Sequence, residues 1–500
     1  MNASERAAAE WARAPGSVVI GCEHELGISV RPTEACDGWD SAAGLILAVG
    51  GLDIGRCACC QFLHNGARLY IDCGQHLEYA TPECTSAREL VGADAAGTRI
   101  LAAMAKAAED HLTGIRPDVR IRVIKNNVST NGASWGAHEN YQVPVSLAWS
   151  DLADGLASFL ASRVVFCGAG TVVASRSDAT NRFRVSQRAP FTTDLAGISA
   201  AHPDGYKPMV LTRNEPLADS SRFRRIQIVC GDANVLQMST FLKVGTTALC
   251  LRLIANGTAP ALRLQDPVHA FRRFGEDDTL RAYVITEKGR YTGLDLQELW
   301  LDAVLRSNEI VADDDDQAVV TAWADIVADL RRDPAATADR VDWVAKRQLL
   351  MAIDEPTVSG CHPTPGGAGR AIAADLAYHD VRADRSTAGV LASHGRSLVL
   401  VDDATIATLM NEPPSSTRAH LRAALIDVLA DADVNHHMNW SACDLILPGE
   451  AVRLVFEDAH QTDDTAANPV LAHARDVIAG SRRAKARVPG FGAHRMRTAG

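Results

Sequence analysis

The length, composition and charge of the chain exclude several classes of protein before any motif is considered. Its 500 residues include 50 Lys and Arg against 61 Asp and Glu, and the formal net charge of −11 at pH 7 argues against a nucleic acid as the main partner. No apolar run approaches the ~20 residues that cross a bilayer, and the charged, alanine-rich N-terminus lacks the core of a secretion signal. We therefore expect a cytoplasmic protein that neither spans a membrane nor binds nucleic acid.

The predicted elements alternate between strands and long helices. Period-two alternation predicts strands over residues 17–30, 67–73, 119–128 and 223–234. Apolar residues at helical spacing predict helices over residues 86–112, 146–166 and 239–257 and over much of 295–350. Ser86 stands at the N-cap position of the first of these helices, and Gly257 ends the third. The acidic run of residues 313–316 is interpreted as a solvated turn.

This order of elements predicts an α+β fold, with a largely antiparallel sheet and helices packed on one side. The chain is too long for one simple core, so we expect a large domain and a smaller one. The predicted division is an N-terminal extension (1–16), a large domain (17–425), a small C-terminal domain (426–480) and a basic, flexible tail (481–500).

Acidic side chains concentrate on two of the predicted strands. Glu23 and Glu25 share one face of the first strand, Tyr70 and Asp72 share a face of the second, and Glu78 follows just past a glycine-containing turn. If the two strands are neighbours, these carboxylates converge and repel one another. A divalent cation removes that repulsion, and oxygen ligands favour Mg²⁺ or Mn²⁺ over zinc.

Basic side chains offer an alternative to the metal. The acids could instead pair with Arg68, Arg88 and Lys125, and sequence spacing leaves both interpretations open. A Gly/Ser-rich turn brings His138 as a further polar candidate, and Arg213 adds a guanidinium of the kind that suits phosphate. The chain has neither a Walker P-loop nor a GxGxxG motif, so a bound nucleotide would be held by metal ions and arginines on a sheet.

The cysteines give no metal motif. Cys57, Cys59 and Cys60 cluster, but no second pair stands at zinc spacing, and a cytosolic chain of this size rarely needs disulfides. We interpret them as reduced thiols.

Several sequence blocks follow one another in order from about residue 18 to residue 440. They read GCEHELG, NGARLYIDCGQHLEYATPEC, KNNV with GAHENY, SQRA, TRNEPLAD with FRRIQIVCGDAN, KVGTTAL, DLAYHD and NEPPSSTRAHLR. Together they resemble the Pup ligase and depupylase family, which is related to glutamine synthetases and carboxylate-amine ligases. The resemblance implies a glutamine-synthetase-like catalytic domain with a curved antiparallel sheet, a small C-terminal domain, and ATP bound with Mg²⁺.

The resemblance also implies the metal ligands. Glu23, Tyr70 and Glu78 match the positions that hold magnesium in the family. Glu25 and His138 are further candidates, because the first lies on the same strand face as Glu23 and the second lies in a polar cluster.

Other positions carry implied roles in binding and chemistry. Arg68 and Thr81 match residues that contact ATP, with Arg213 as a further candidate. Trp440 matches a tryptophan of the C-terminal domain that lies against the nucleotide. Asp72 matches the catalytic aspartate.

The implied activity is ATP-dependent formation of an isopeptide bond. A glutamate side-chain carboxylate on a Pup-like tag would become an acyl phosphate and then react with a lysine amine of a protein substrate. Depupylases carry a longer insertion before NGARLY than residues 28–64 provide here, which favours a ligase, whereas KNNV and GAS look more like a depupylase. A depupylase or deamidase, a carboxylate-amine ligase for a small molecule, and an inactive ATP-binding module stay open.

Four positions depart from the residues that the family usually has. The four positions are those of His24, Leu77, Asn214 and Leu217. These differences leave the metal site intact but leave the identity of the substrate open.

Overall fold

The computed structural model describes most of the chain, and all the helices and strands named below lie within the described residues. The described residues are 3–36, 41–50, 60–173, 182–197, 207–213, 217–358, 367–430, 432, 434–447 and 450–487. The strands are β1 (Ile20–Arg31), β2 (Cys60–Phe62), β3 (Arg68–Ile71), β4 (Leu77–Ala80), β5 (Arg120–Ile124), β6 (Ala137–Pro144), β7 (Thr171–Val173), β8 (Arg182–Arg184), β9 (Asp194–Gly197), β10 (Pro208–Arg213), β11 (Phe223–Ile228), β12 (Tyr283–Thr286), β13 (Gly289–Thr292), β14 (Asn435–Met438), β15 (Ala442–Leu447) and β16 (Glu450–Val455).

The α-helices connect and cover these strands. They are α1 (Ala3–Arg13), α2 (Ala42–Val49), α3 (Ala87–Thr113), α4 (Trp149–Ser162), α5 (Val164–Cys167), α6 (Gln237–Ala255), α7 (Pro267–Glu276), α8 (Gly293–Arg306), α9 (Asp314–Arg332), α10 (Asp342–Val358), α11 (Gly367–Tyr378), α12 (Thr387–Ser393), α13 (Asp403–Leu409), α14 (Arg418–Ala430) and α15 (Val470–Arg487).

One large sheet organises the molecule. Its strand order is β2-β3-β4-β1-β6-β11-β10-β9, with β5 paired to the far half of β1. Every pairing is antiparallel except that of β10 with β9. The predicted α+β fold with a mainly antiparallel sheet is therefore confirmed.

The two acidic strands of the sequence analysis are not neighbours. β4 lies between β1 and β3, and residues 77–80 were not predicted as a strand. All four residues of β4 are buried, so the segment shows no alternation that would mark it in the sequence. Glu78 therefore lies on the sheet itself, between the strands that carry Glu23 and Tyr70.

The main core lies on one face of this sheet. Ile20 and Cys22 point from β1 into a cluster that also includes residues of α3, α4, α6, α8 and α9. Glu23 and Glu25 alternate with them and therefore occupy the opposite face. The helices cover the first face, and the acidic side chains lie on the other.

Helix α6 runs through the centre of that core. Among the helices in the described ranges, it alone is long and apolar enough to cross a membrane, and 94% of its 18-residue apolar window is buried inside the protein. Because it is buried on all sides, α6 is a core helix of the protein.

Two predicted segments differ in detail from the structure. Residues 313–316 do not form a solvated turn: Asp313 caps α9, the next three acids occupy its first turn, and Asp316 forms an ion pair with Arg252 at 2.5 Å. Carboxylates are favourable at a helix N-terminus, which explains the run. The helix predicted over 146–166 is divided at Arg163 into α4 and α5.

The C-terminal part has a hydrophobic cluster of its own. Leu421, Leu425 and Leu429 of α14 pack with β15, β16 and α15 in this cluster. The predicted boundary at 425/426 falls within α14, and the domain division stays a prediction. The predicted tail begins within α15, and residues 488–500 lie outside the described residues.

Candidate active site

The register of the sheet brings the predicted metal ligands together. Glu23 of β1 is opposite His138 of β6, Glu25 is opposite Glu78 of β4, and Tyr70 of β3 is opposite Glu78 on its other side. Side chains that are directly opposite on one sheet face lie close together. Four adjacent strands thus contribute to a single polar row.

One end of this row is a group formed by Glu23, Glu78 and His138. Ligand atoms of these three side chains lie within 4.8 Å of one another. Glu23 accepts hydrogen bonds from Asn140 at 2.8 Å and from Gln227 at 3.1 Å, and its Oε2 lies 3.3 Å from His138 Nδ1. These partners hold Glu23 in place from two neighbouring strands.

The carboxyl groups at this end differ in their protonation. Burial alone would raise the pKa of Glu23, but its contact with His138 and the charge of Arg225 hold that pKa at about 2. Burial raises the pKa of Glu78, and the charges of Glu23 and Glu25 raise it further, to about 9. Glu78 therefore carries a proton at neutral pH for as long as no cation neutralises its neighbours.

Tyr70 completes this end of the row from β3. Burial, the charges of Glu23 and Glu78, and a hydrogen bond to Glu78 hold the pKa of the Tyr70 hydroxyl well above its usual value. The guanidinium of Arg68 lies 4.7 Å from the centre of the Tyr70 ring and 5.6 Å from that of Phe62. Arg68 thus packs against the row by cation–π contacts.

The other end of the row is a second group, formed by Glu25, Asp72 and His76. Their ligand atoms also lie within 4.8 Å of one another. Asp72 Oδ1 accepts a hydrogen bond from the backbone N–H of His76 at 2.6 Å, and its Oδ2 lies 3.5 Å from His76 Nδ1. Burial opposes ionisation of Asp72, but the contacts with His76 outweigh it and lower the pKa of Asp72. The carboxylate is therefore charged at neutral pH.

His76 was missed by the sequence analysis, although it stands in the quoted block. Its ring also packs on Trp135, with ring centres 5.4 Å apart, and its Nδ1 lies 3.8 Å from Glu25. No spacing rule separates such a histidine from a surface residue. Its role follows only from the turn between β3 and β4.

Two of the three basic residues considered as partners for the acids, Lys125 and Arg88, form ion pairs elsewhere. Lys125 binds Asp94 at 2.6 Å, behind the sheet, where Asp94 also lies 3.0 Å from His24. Arg88 pairs with Asp315 at 3.4 Å. The unusual His24 is thus a buried core residue and not a member of the acidic row.

A cleft opens beside the Glu23 end of the row. Glu23, Thr81 and Trp440 are among its lining residues. Thr81 Oγ1 accepts a hydrogen bond from the backbone N–H of Cys22 at 3.0 Å, which fixes the strand edge at the cleft. The apolar walls include Leu217 and Trp440, and Arg225, another residue that sequence reasoning missed, lies at the cleft beside Glu23.

Two further residues, Arg68 and Arg213, were predicted to contact the nucleotide. Arg68 is not among the lining residues and packs instead on Tyr70. Arg213 ends β10 opposite Arg225, and its side chain lies outside the described residues, as does Asn214. The structure therefore brings together the acidic row, Thr81 and Trp440.

Comparison with known proteins identifies the family. The family model described as Pup-ligase protein matches residues 19–444. This chain belongs to the Pup-ligase family. It is 37% identical over 385 residues to a Pup–protein ligase of Acidimicrobium ferrooxidans, an alignment that covers 76% of this chain and 82% of that protein. It is 38% identical over 371 residues to a Pup deamidase/depupylase of Mycobacterium tuberculosis, covering 72% and 70% respectively.

Solved structures of the Pup-ligase family share the fold. The complex between Pup and its ligase PafA matches with a TM-score of 0.80 and 24% identity over 96% of this chain and 97% of that one. The ligase PafA in complex with ADP matches with a TM-score of 0.74 and 27% identity, over 84% and 90% respectively. The family resemblance of the sequence blocks is confirmed.

Proposed function

We propose that this member of the Pup-ligase family is an ATP- and magnesium-dependent ligase. It joins the side-chain carboxylate of a glutamate on a Pup-like tag to a lysine amine of a protein substrate, in the cytoplasm. The observation that carries the proposal is the continuous surface formed by the Asp72 group, the Glu23 group and the cleft at Trp440. One edge of that surface suits a nucleotide, and the other offers a charged carboxylate to an amine.

The acidic row fits a divalent cation. Glu23, Tyr70 and Glu78 offer mainly oxygen donors, with Glu25 and His138 beside them, and magnesium prefers oxygen ligands. The proton that Glu78 retains reflects its burial and, after that, the negative charges of Glu23 and Glu25, which a dication would neutralise. When bound, Mg²⁺ supplies positive charge that offsets the charge of the ATP phosphates.

The cleft suits the nucleotide. Trp440 and Leu217 offer apolar surface to a base, while Arg225 and Thr81 lie toward the acidic row, where the phosphates would extend. A nucleotide in this orientation directs its γ-phosphate at the tag carboxylate. Transfer of the phosphoryl group to a carboxylate oxygen releases ADP and leaves an acyl phosphate.

Asp72 acts in the second half of the reaction. A lysine amine is protonated at neutral pH and cannot attack until it loses a proton. The charged Asp72 binds the ammonium group and accepts that proton as the amine attacks the acyl carbon. The carbon–nitrogen bond forms, the carbon–oxygen bond to phosphate breaks, and inorganic phosphate leaves. His76 keeps the Asp72 carboxylate oriented.

A hydrolytic reaction at the same site is the second candidate. The relative from Mycobacterium tuberculosis, a Pup deamidase/depupylase, is as similar in identity as the ligase from Acidimicrobium ferrooxidans. Water would then replace the amine, and the isopeptide bond would break.

The test offers the protein both reactions. One arm supplies ATP, Mg²⁺, a Pup-like tag ending in glutamate and a lysine-bearing acceptor. The other supplies the joined conjugate without acceptor, and mass spectrometry follows both. We expect joining in the first arm that greatly exceeds cleavage in the second. Cleavage without joining would favour the hydrolase, and neither reaction would contradict the proposed function.

A further inference from the structure

Glu83 is a buried carboxylate that holds two arginines of α14. It lies just after β4, and its side chain accepts from Arg418 Nε at 2.9 Å and from Arg422 at 3.1 and 2.5 Å. Both arginines are almost fully buried. Burial alone would raise the pKa of Glu83, but the two guanidinium groups hold it at about 2, so this cluster stays charged.

Arg418 fixes one side of the nucleotide cleft. Its guanidinium donates to the carbonyl oxygens of Phe456 at 3.2 Å and Glu457 at 3.1 Å, and also to that of Leu217. Leu217 has a φ of 55°, a left-handed conformation that a leucine rarely adopts without support. The backbone N–H of Arg418 donates to the carbonyl of Ala459 at 2.9 Å.

Arg422 fixes the part of the cleft lining that Trp440 provides. Its guanidinium donates to the Trp440 carbonyl at 3.1 Å and to the Gly66 carbonyl at 2.8 Å. The same group lies 5.0 Å from the centre of the Trp440 ring and 4.8 Å from that of Phe62. Phe62 in turn packs edge-on against Trp440 at 5.0 Å. The position of Trp440 is therefore fixed by the hydrogen bond to its backbone carbonyl and by the contacts of its indole ring with Arg422 and Phe62.

Leu217, Trp440 and Ala459 all line the one cleft. We propose that Glu83, Arg418 and Arg422 are positioning residues that hold the walls of a slot for the adenine base, while the polyphosphate is held separately, through the Mg²⁺ that the acidic row would bind. The proposal rests on the proposed function, which puts a nucleotide in this cleft. Glu83 orients both arginines at once, so its loss should loosen both walls of the slot together.

If the base and the phosphates are held by different residues, a change in the slot should weaken binding of the base and leave binding of the phosphates unchanged. Inorganic triphosphate has the phosphates of ATP but no base, so its affinity should not depend on the slot. Base stacking contributes on the scale of ~1–3 kcal/mol, which corresponds to a loss of about 5- to 160-fold in ATP affinity.

The experiment measures the dissociation constants of Mg·ATP and of Mg·triphosphate by calorimetry on the full chain. The variants are Glu83→Gln, Arg422→Lys and Trp440→Ala. Arg422→Lys keeps the positive charge beside Glu83, but a lysine lacks the planar guanidinium that donates to both carbonyls. This variant tests the inference if Glu83→Gln does not fold. Asp316→Asn is the matched control, because it breaks another buried ion pair outside the cleft lining, that with Arg252.

We expect Glu83→Gln and Arg422→Lys to weaken Mg·ATP binding within that range and to leave Mg·triphosphate binding unchanged, and Asp316→Asn to change neither. The inference is overturned if Trp440→Ala loses ATP affinity but both positioning variants keep it, or if they weaken both ligands equally. Equal affinities of the wild type for ATP and triphosphate would instead contradict the nucleotide site of the proposed function, and the inference with it.

Discussion

Glu78 lies on β4 between other carboxylates, and burial among them raises its pKa to about 9. A carboxyl group whose pKa is higher in the folded state than in the unfolded state makes the folded protein bind more protons. The free energy of unfolding must then fall as the pH rises from the ordinary value toward the folded value. The structure thus ties stability to the charge balance of the acidic row.

The substitution Glu78→Gln tests this link. Between neutral pH and about pH 9, the melting temperature of the metal-free wild type should fall. The melting temperature of Glu78→Gln should fall much less, because glutamine has no proton to release. Mg²⁺ should raise the melting temperature of the wild type more at the alkaline end, since its binding displaces the Glu78 proton. Thermal melts across this range give both results. Parallel pH profiles for the two proteins would show that Glu78 does not retain a proton.

Asp72 differs from Glu78 because its contacts with His76 lower its pKa and keep it charged. Asp72→Asn retains the size of the side chain but cannot accept a proton from the amine. Turnover should fall by about 10²–10⁴-fold, the usual range for a general base, while binding of Mg·ATP should survive. The comparison needs steady-state turnover and nucleotide affinity for both proteins. Normal turnover would remove Asp72 from the mechanism, and loss of ATP binding would make it a metal-site residue.

At the scale of elements, the position of β4 depends on its contact with α3. Tyr79 points from β4 into the core and crosses α3 at Gly97, where an added Cβ would lie 2.1 Å from the tyrosine ring. Glycine is therefore needed at this crossing. The neighbouring Glu78 points to the opposite face, so a shift of β4 would also move this proposed metal ligand.

Gly97→Ala should therefore lower both stability and affinity for Mg²⁺. Overpacking typically costs ~1–3 kcal/mol of unfolding free energy. Gly92→Ala is the matched control on the same helix, because its Cβ would lie 2.5 Å from a methyl of Leu409 on α13, away from the sheet. Denaturant titration and Mg²⁺ calorimetry should show a loss of stability in both variants but a loss of cation affinity in Gly97→Ala alone. If both keep wild-type cation affinity, the α3 contact does not position the site.

The same elements show what the sequence could predict. Alternation correctly placed Glu23 and Glu25 on one face of β1, and the structure puts the core residues Ile20 and Cys22 on the other. It failed for β4, because a short strand buried on both faces has no period. The family resemblance supplied Glu78 despite that failure, since its motif does not depend on identifying the strand.

Other parts of the site needed the fold. His76 reaches Asp72 through a turn, and Arg225 reaches Glu23 from β11, with β6 between β11 and β1. No fixed spacing between residues in the sequence predicts either contact. Glu83 and Arg422 are far apart in the chain, and their ion pair exists only because α14 packs against the end of β4.

At the scale of the whole molecule, the nucleotide cleft is made by both ends of the chain. Glu23 belongs to the first strand of the sheet and Trp440 to the C-terminal part, beside the cluster of α14, β15, β16 and α15. The buried pairs of Glu83 with Arg418 and Arg422 join these parts. Folding of the C-terminal part is thus required for a complete cleft, and chemistry and nucleotide binding depend on one assembled molecule.

In the proposed reaction, ATP activates the tag carboxylate as an acyl phosphate before the lysine attacks. The most direct measurement uses a Pup-like tag whose glutamate carboxylate carries ¹⁸O. Ligation with ATP and Mg²⁺ should transfer one ¹⁸O to inorganic phosphate for each isopeptide bond formed, because the carboxylate oxygen that accepts the phosphoryl group leaves with it. Mass spectrometry of the released phosphate measures this transfer. Isopeptide bonds formed while the phosphate stays free of ¹⁸O would contradict the account.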